Sequence, residues 1–128
     1  MIRQLVLVAA GGALGALARF GLSVWVQVGS APRFPVTTLG INAMGSLAIG
    51  VLYVLIAERA VMHPDWRSGA MIGFLGAFTT FSTFSLETVT LLEAGRVAAA
   101  LAYMGLSVLL CVGGAWLGIW LARVAAGS

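Results

Sequence analysis

Four long apolar stretches constrain the fold of this chain more than any other feature of its sequence. Each is near or above the roughly 20 residues that a helix needs to cross a bilayer. Only 9% of the 128 residues are charged, against about 25% in a soluble domain. The sequence therefore predicts an all-α integral membrane protein with a single domain over residues 1–128. Its four transmembrane helices are expected at about Gln4–Val28, Val36–Ala57, Ser68–Leu92 and Val97–Ala122.

The connections between the stretches are short and predict a simple topology. A Gly/Pro-rich turn covers Gly29–Pro35, the only polar loop covers Glu58–Arg67, and a hairpin connection covers Glu93–Arg96. Four spans place both termini and the second loop on one side of the membrane. The arginines on that side are Arg3, Arg59, Arg67 and Arg123, and those on the other are Arg33 and Arg96, with Arg19 inside the first span.

This weak charge bias leaves the orientation open under the positive-inside rule. It is compatible with dual topology, in which copies inserted in both directions pair as an antiparallel homodimer. Many transporters contain two inverted halves related by a two-fold axis in the membrane plane. A chain of four spans has about the size of one such half.

The composition also argues against several classes of protein. All seven basic residues are arginines scattered along the chain, so binding to nucleic acid is not expected. A single cysteine, Cys111, forms no internal disulfide and is interpreted as a small buried apolar residue. The lone His63 offers no zinc site. The first apolar stretch is too long for a signal peptide, so we expect it to be a retained span.

The third stretch is unusually polar for a membrane helix. Thr79–Ser85 carries five hydroxyls in seven residues, whereas bonding back to carbonyls of the preceding turn would account for one or two. Phe81 and Phe84 stand three apart and share a helix face, and the positive edges of their rings could attract an anion. These features favour a pathway for a small ion or polar solute. Glu87 lies either near the membrane surface or buried against the hydroxyls.

A glycine in the third stretch and polar residues in the second and fourth add to this prediction. Gly76 favours a helix break around Gly76–Thr80, which would free backbone carbonyls for a cation. In the second stretch Thr38, Asn42 and Ser46 form a polar stripe, and the Asn42 amide could donate to an anion or join two helices. In the fourth stretch Tyr103 and Ser107 share a face and are expected to line the same pathway.

The first stretch contains a small-residue stripe and one buried charge. Gly11, Gly15 and Ala18 follow helical spacing and predict the close approach of another helix. Arg19 either extends to the nearer interface or lines an aqueous vestibule that attracts anions.

Three sequence motifs, one in each of the first three stretches, together resemble those of the Fluc fluoride channels, the CrcB family. They are GGALGALARF, TLGINAMGSLAIG and GFLGAFTTFSTFSLE, which occur in this order in a four-span chain. The resemblance covers essentially the whole chain, and the third string is the most specific. Val36 and Ala77 stand where the family commonly has glycines.

The resemblance implies a function and a set of site residues. Members of this family are antiparallel, dual-topology homodimers that export fluoride passively through two pores across the bacterial inner membrane. By analogy, Asn42 would contact fluoride, and the ring edges of Phe81 and Phe84 would line the pores. The same analogy places Arg19 at the vestibule and a structural sodium ion (Na⁺) at the dimer two-fold, held by backbone carbonyls of Gly76 and Thr79. Ser82 and Thr83 would form a polar track behind the rings, with Glu87 near its end, and Tyr103 and Ser107 resemble the family's pore-lining pair in the fourth helix.

Two rival functions have weaker support. A small multidrug-type proton-coupled exporter needs a membrane-embedded carboxylate, typically in its first span, whereas this first span has Arg19 and no acidic residue. A packing subunit of a larger complex would leave the hydroxyls unexplained. An enzyme is not expected, because the sequence has no catalytic cluster at membrane depth. Glu58 and Asp65, in the second loop, are interpreted as solvated charges.

Overall fold

The computed structural model describes residues 1–27 and 34–127, and its regular elements in these ranges are helices. The α-helices are α1 (Ile2–Gln27), α2 (Val36–Leu52), the short α3 (Gly76–Phe78), α4 (Phe81–Glu93) and α5 (Val97–Ala125). Two π-helical segments, Tyr53–Glu58 and Arg67–Leu75, continue α2 and lead into α3.

Four helical segments are long and apolar enough to cross a membrane, as the sequence predicts. They are Ile2–Val26, Val36–Glu58, Arg67–Glu93 and Val97–Ala125. The boundaries lie within a few residues of the expected ones, and the helical stretch of the fourth extends three residues beyond the predicted Ala122. The predicted end of the first span at Val28, most of the Gly29–Pro35 turn and Arg33 lie outside the described residues. The chain is a multi-pass membrane protein.

The two π-helical segments flank the second loop and were not foreseen. A π-helix bonds residue i to i+5, and it is common as a short insertion at functional sites. At the end of the first segment the Arg59 N–H donates to the Val54 carbonyl at 2.8 Å. Ala60 follows with a φ of 53°, a left-handed conformation that usually selects glycine after a helix. The sequence has no glycine here to mark this helix end.

Glycines hold α1 against the Arg67–Leu75 segment. A Cβ atom added at Gly15 would collide with the backbone carbonyl of Phe74, and one at Gly11 with that of Gly69. The predicted close approach along this stripe is therefore confirmed. A similar contact joins α2 to α5, where a Cβ at Gly118 would collide with the Leu47 carbonyl. Backbone contact of this kind is the usual means of packing helices in lipid, where apolar side chains gain nothing from avoiding the solvent.

Ion pairs tie together one end of the bundle. Arg3 pairs with Asp65, and the Arg123 guanidinium binds both carboxylate oxygens of Glu58 at 2.8 Å. These contacts place both chain ends beside the second loop, as the topology predicts. Glu58 and Asp65 lie at the surface, as interpreted, but neither carboxylate stands alone, because each binds an arginine.

The close approach at Gly15 predicts a sharp sensitivity to one methyl group. Gly15→Ala should cost about 1–3 kcal/mol of stability, because the Cβ would force apart two backbones that already touch. Gly12→Ala is the matched control, since its Cβ would lie 3.8 Å from the nearest atom, the Gly73 carbonyl oxygen. Thermal unfolding of both variants in detergent, followed by size-exclusion chromatography, measures the difference. Equal melting temperatures would contradict the packing described here.

Candidate functional site

The candidate site is built around two extended residues between α3 and α4. Helix α3 ends at Phe78, Thr79 and Thr80 have φ, ψ values of −85°, 156° and −151°, 118°, and α4 begins at Phe81. Backbone groups at such a point lose their regular helical partners. At membrane depth, other protein groups must replace them.

Asn42 on α2 replaces two of these partners. Its Nδ2 donates to the Thr80 carbonyl at 3.0 Å, and the Thr80 N–H donates to its Oδ1 at 2.8 Å. In a continuous helix the Thr80 N–H would instead bind the Gly76 carbonyl. The Asn42 amide therefore joins two helices, one of the two roles that the sequence left open. The amide has two N–H donors, and the bond to Thr80 uses one of them.

The Thr80 hydroxyl caps the start of α4. It accepts from the Thr83 N–H at 3.2 Å, and it donates to the Thr83 hydroxyl at 3.1 Å. The Ser82 hydroxyl lies 3.3 Å from it. Capping by threonine at this position is a common way to satisfy the first N–H groups of a helix. It also takes the Thr83 N–H away from the Thr79 carbonyl, its partner in a continuous helix.

The five hydroxyls of Thr79–Ser85 thus divide into two groups. Thr79 and Ser85 donate to the carbonyls four residues earlier, at 2.8 and 2.9 Å, so the simple back-bonding interpretation holds for these two. Thr80, Ser82 and Thr83 instead form a cluster of hydroxyls at the start of α4. This cluster contains both hydroxyl residues of the third span that were expected to form the polar track.

A cavity of about 390 Å³ opens beside the extended residues. The Phe81 and Phe84 rings are part of its wall, with centroids 5.2 Å apart and planes tilted by 52°. Ser107 on α5 is 8% exposed, and its hydroxyl has no hydrogen-bond partner within the described ranges. Asn42 also lines this cavity. Gly76 and Thr79 line it as well, so the structure brings six of the predicted site residues to one space.

A second group of polar side chains surrounds Glu87. One carboxylate oxygen accepts from the Tyr103 hydroxyl at 2.7 Å, and the other accepts from the Thr38 hydroxyl at 3.0 Å. Tyr103 and Thr38 are both buried. Glu87 is half-buried and hydrogen-bonded, but its partners lie on α2 and α5 and not in the hydroxyl run of the third span. The sequence pattern places Thr38 in a polar helical stripe but does not predict it as a site residue. Its spacing of four residues from Asn42 was the signal that could have indicated this.

The Phe84 ring connects the two groups. Its centroid lies 5.0 Å from that of Tyr103. The cavity, which Phe84 lines, is therefore adjacent to the group around the Glu87 carboxylate, which Tyr103 binds. Beyond Glu87 lies a second, open cavity of about 570 Å³, whose wall includes Thr38, Thr83 and Arg96. Tyr103 and Ser107 were expected to line one pathway. Ser107 lines the first cavity, whereas Tyr103 is fully buried and lines neither cavity.

Arg19 contacts the end of α3. Its Nε donates to the Ala77 carbonyl at 3.1 Å, which supplies a donor to a carbonyl at a helix C-terminus. A positive charge at this end also interacts favourably with the helix dipole. The guanidinium is therefore part of the support for the extended residues, a role that the sequence did not indicate.

The carbonyls of Gly76 and Thr79 are suited to a hard cation. The N–H groups that would bind them in a continuous helix bind Asn42 and the Thr80 hydroxyl instead. Backbone carbonyls released at discontinuous helices are common sodium ligands. Among the described residues, no cluster of three or more His, Cys, Asp or Glu could hold a metal ion.

Cys111 differs from its interpretation as a buried apolar residue. Its side chain is partly exposed and lies in the wall of the 390 Å³ cavity, one helical turn beyond Ser107. The interpretation is wrong because the part of α5 that carries Ser107 and Cys111 lines this space. The apolar neighbours of Cys111 in the sequence do not indicate that.

Comparisons with known proteins identify the family. Residues 6–119 match the family model described as CrcB-like protein, Camphor Resistance (CrcB). The chain belongs to the CrcB-like family. It is 46% identical to the Fluoride-specific ion channel FluC of Stutzerimonas stutzeri, over 97% of this chain and 100% of that protein. It is 50% identical to the protein of the same name from Saccharophagus degradans, over 82% and 78% of the two chains. The Hahella chejuensis protein of that name is 43% identical over 96% and 97%.

The part of the chain that matches the CrcB-like family contains the whole candidate site. Arg19, near its start, and Ser107, near its end, both fall within residues 6–119. The four helices of the bundle are thus all represented in the match. The family assignment therefore applies to the residues that form the cavity and the Glu87 group.

The Asn42 bonds predict a measurable loss when the amide is removed. Asn42→Ala should cost about 1–3 kcal/mol, because the Thr80 N–H and carbonyl would lose their partners at membrane depth. Hydrogen–deuterium exchange of peptides covering residues 76–85 should speed up in this variant. Asn42→Asp, which retains an acceptor for the Thr80 N–H, should give a smaller change. Ser46→Ala, in the same cavity wall, is the control. If exchange of residues 76–85 speeds up as much in Ser46→Ala as in Asn42→Ala, the assignment is refuted.

Proposed function

We propose that this CrcB-like protein is a fluoride-selective channel that exports fluoride passively across the bacterial inner membrane and so relieves fluoride toxicity. The observation that carries the proposal is the cavity in which the buried Ser107 hydroxyl, without a partner in the described ranges, meets Asn42 and two phenylalanine rings. The name of the three relatives, fluoride-specific ion channel, agrees with it.

The chemistry of the cavity suits a small, strongly hydrated anion. A conducting site must replace the water around the ion and yet bind it weakly enough for it to leave. The free N–H of Asn42, the Ser107 hydroxyl and the positive ring edges of Phe81 and Phe84 are weak donors that can share this task. The residues lining the cavity include no charged side chain. Fluoride would therefore be desolvated without being trapped by a fixed positive charge.

The remaining polar residues would continue the pathway. The ion would pass the Phe84 ring and reach the hydroxyls of Ser82 and Thr83. Glu87 would hold the Tyr103 and Thr38 hydroxyls in place through the bonds already described. In this role the carboxylate fixes these two side chains by accepting their O–H groups, and it does not contact the anion, which its charge would repel.

Arg19 would act at the mouth of the pathway. Its guanidinium is held through Nε at the Ala77 carbonyl, which keeps a positive charge close to the extended residues. In an aqueous vestibule this charge would raise the local concentration of anions.

The proposed assembly is an antiparallel, dual-topology homodimer with two pores. The Phe81 ring, 78% exposed in the single chain, would be covered by the second copy. The third span would act as a broken helix, and Na⁺ would be held at the two-fold axis by the Gly76 and Thr79 carbonyls of both copies. The ion would supply positive charge at the junction of the two chains and neutralise the carbonyl dipoles that converge there.

A proton-coupled multidrug exporter is not supported. The family assignment does not favour it, and the first span contains no acidic residue. Glu87 in the third span has both carboxylate oxygens bound to hydroxyls of the same chain. These bonds suit a carboxylate that fixes two neighbouring side chains beside the proposed pathway.

Anion efflux from proteoliposomes tests the proposed channel. With valinomycin present, the protein should release fluoride far faster than chloride, as followed with ion-selective electrodes. Phe81→Ile should slow fluoride efflux strongly, because an aliphatic side chain lacks the positive ring edge. Phe20→Ile is the matched control, since Phe20 is also exposed, at 68%, and does not line the cavity. Fluoride release no faster than from empty liposomes would reject the function.

Replacing sodium tests the proposed cation. Protein purified and reconstituted in N-methylglucamine salts should release fluoride more slowly, and adding sodium should restore the rate. Thr79→Ser, which retains the carbonyl, should need no more sodium than the wild type. An efflux rate that does not depend on sodium over repeated exchange would reject the sodium site and leave the channel function standing.

A further inference from the structure

Two sulfur-containing side chains line the 390 Å³ cavity and are not used by the proposed fluoride pathway. Cys111 contributes a free thiol from α5, and Met71 contributes a thioether from the Arg67–Leu75 segment. Thiolate and thioether sulfur are soft ligands that select monovalent soft cations such as Cu⁺ and Ag⁺. Fluoride is bound by hard donors, so these groups point to a different ligand.

The neighbouring Ser107 indicates that this part of the cavity accepts a polar or charged occupant. Its side chain is more than nine-tenths buried, and its hydroxyl has no partner within the described ranges. A buried polar group without a partner is costly, so an occupant that bonds to it is favoured. Cys111 lies one turn further along the same face of α5, in the same cavity wall.

We propose that Cys111 is a binding site for a small soft monovalent metal cation, which blocks the ion pathway. The proposed block of fluoride transport rests on the proposed fluoride function, because it assumes that fluoride crosses this cavity. When Ag⁺ binds, a sulfur–silver bond forms, the sulfur–hydrogen bond breaks and the proton leaves to water, with no change of oxidation state. Met71 is placed to provide a second soft ligand.

The bound cation would stop fluoride by occupying its space. The weak donors of the pathway conduct because no single one holds the ion. A metal thiolate between Ser107 and the phenylalanine rings would fill the cavity where these donors converge. The wild-type protein should therefore be inhibited by silver, although no thiol takes part in fluoride transport.

Silver nitrate added to proteoliposomes in chloride-free nitrate medium is the probe. Fluoride efflux by the wild type should fall to the rate of protein-free liposomes, and excess free cysteine should restore it. Each rate is divided by the rate of the same variant before silver. Cys111→Ser should keep its rate in silver, and Met71→Leu should need more silver for the same inhibition.

A displaced thiol provides the matched control. In the double variant Cys111→Ser/Leu109→Cys the thiol moves to a residue that is 70% exposed and outside the cavity wall. Silver should leave fluoride efflux by this variant unchanged. Inhibition of the double variant equal to that of the wild type would overturn the proposal.

Protection of the thiol gives a readout that does not depend on transport. Silver should protect Cys111 from N-ethylmaleimide, as measured by intact mass, at lower concentration in the wild type than in Met71→Leu. Protection without loss of fluoride efflux would overturn the block, and absence of protection would overturn the metal site. If the untreated wild type does not transport fluoride, the proposed function fails, and protection still decides whether Cys111 binds the metal.

Discussion

The need to satisfy backbone groups inside a membrane governs the rest of this structure. Hydrocarbon supplies no hydrogen bonds, so an interruption of a transmembrane helix is tolerated only where other protein groups replace the lost partners. Here the interruption at Thr79 and Thr80 is supported from three directions. Asn42 binds the Thr80 backbone, the Thr80 hydroxyl caps α4, and Arg19 binds the Ala77 carbonyl. Removal of any one would leave a backbone polar group without this hydrogen-bond partner.

The same replacement of partners creates the chemical properties of the site. By taking the Thr80 N–H, Asn42 frees the Gly76 carbonyl, and the threonine cap does the same for the Thr79 carbonyl. The α4 helix begins at Phe81, and the Phe81 and Phe84 rings lie in the wall of the cavity. Structural support and a potential ion site thus arise from the same few bonds.

Close helix packing makes this support possible. The glycines of α1 allow direct contact with the backbone of the Arg67–Leu75 segment, and the glycines of α2 and α5 allow the same between those helices. The Asn42 side chain is short, so it can bond to Thr80 only because α2 lies close to the third span. Ion pairs at one end, Arg3 with Asp65 and Arg123 with Glu58, join the chain ends to the second loop.

The sequence alone determined the four spans, the small-residue stripe of α1 and the polar character of the third span, because these follow from local composition and helical spacing. Tertiary structure decided which groups meet: Asn42 with Thr80, 38 residues apart, Tyr103 with Glu87, and Arg123 with Glu58, 65 residues apart. It also decided that Cys111 lines a cavity and that the helix ends beside the second loop are π-helical. Such contacts depend on how helices rotate and approach one another, and no local pattern in the chain encodes that rotation.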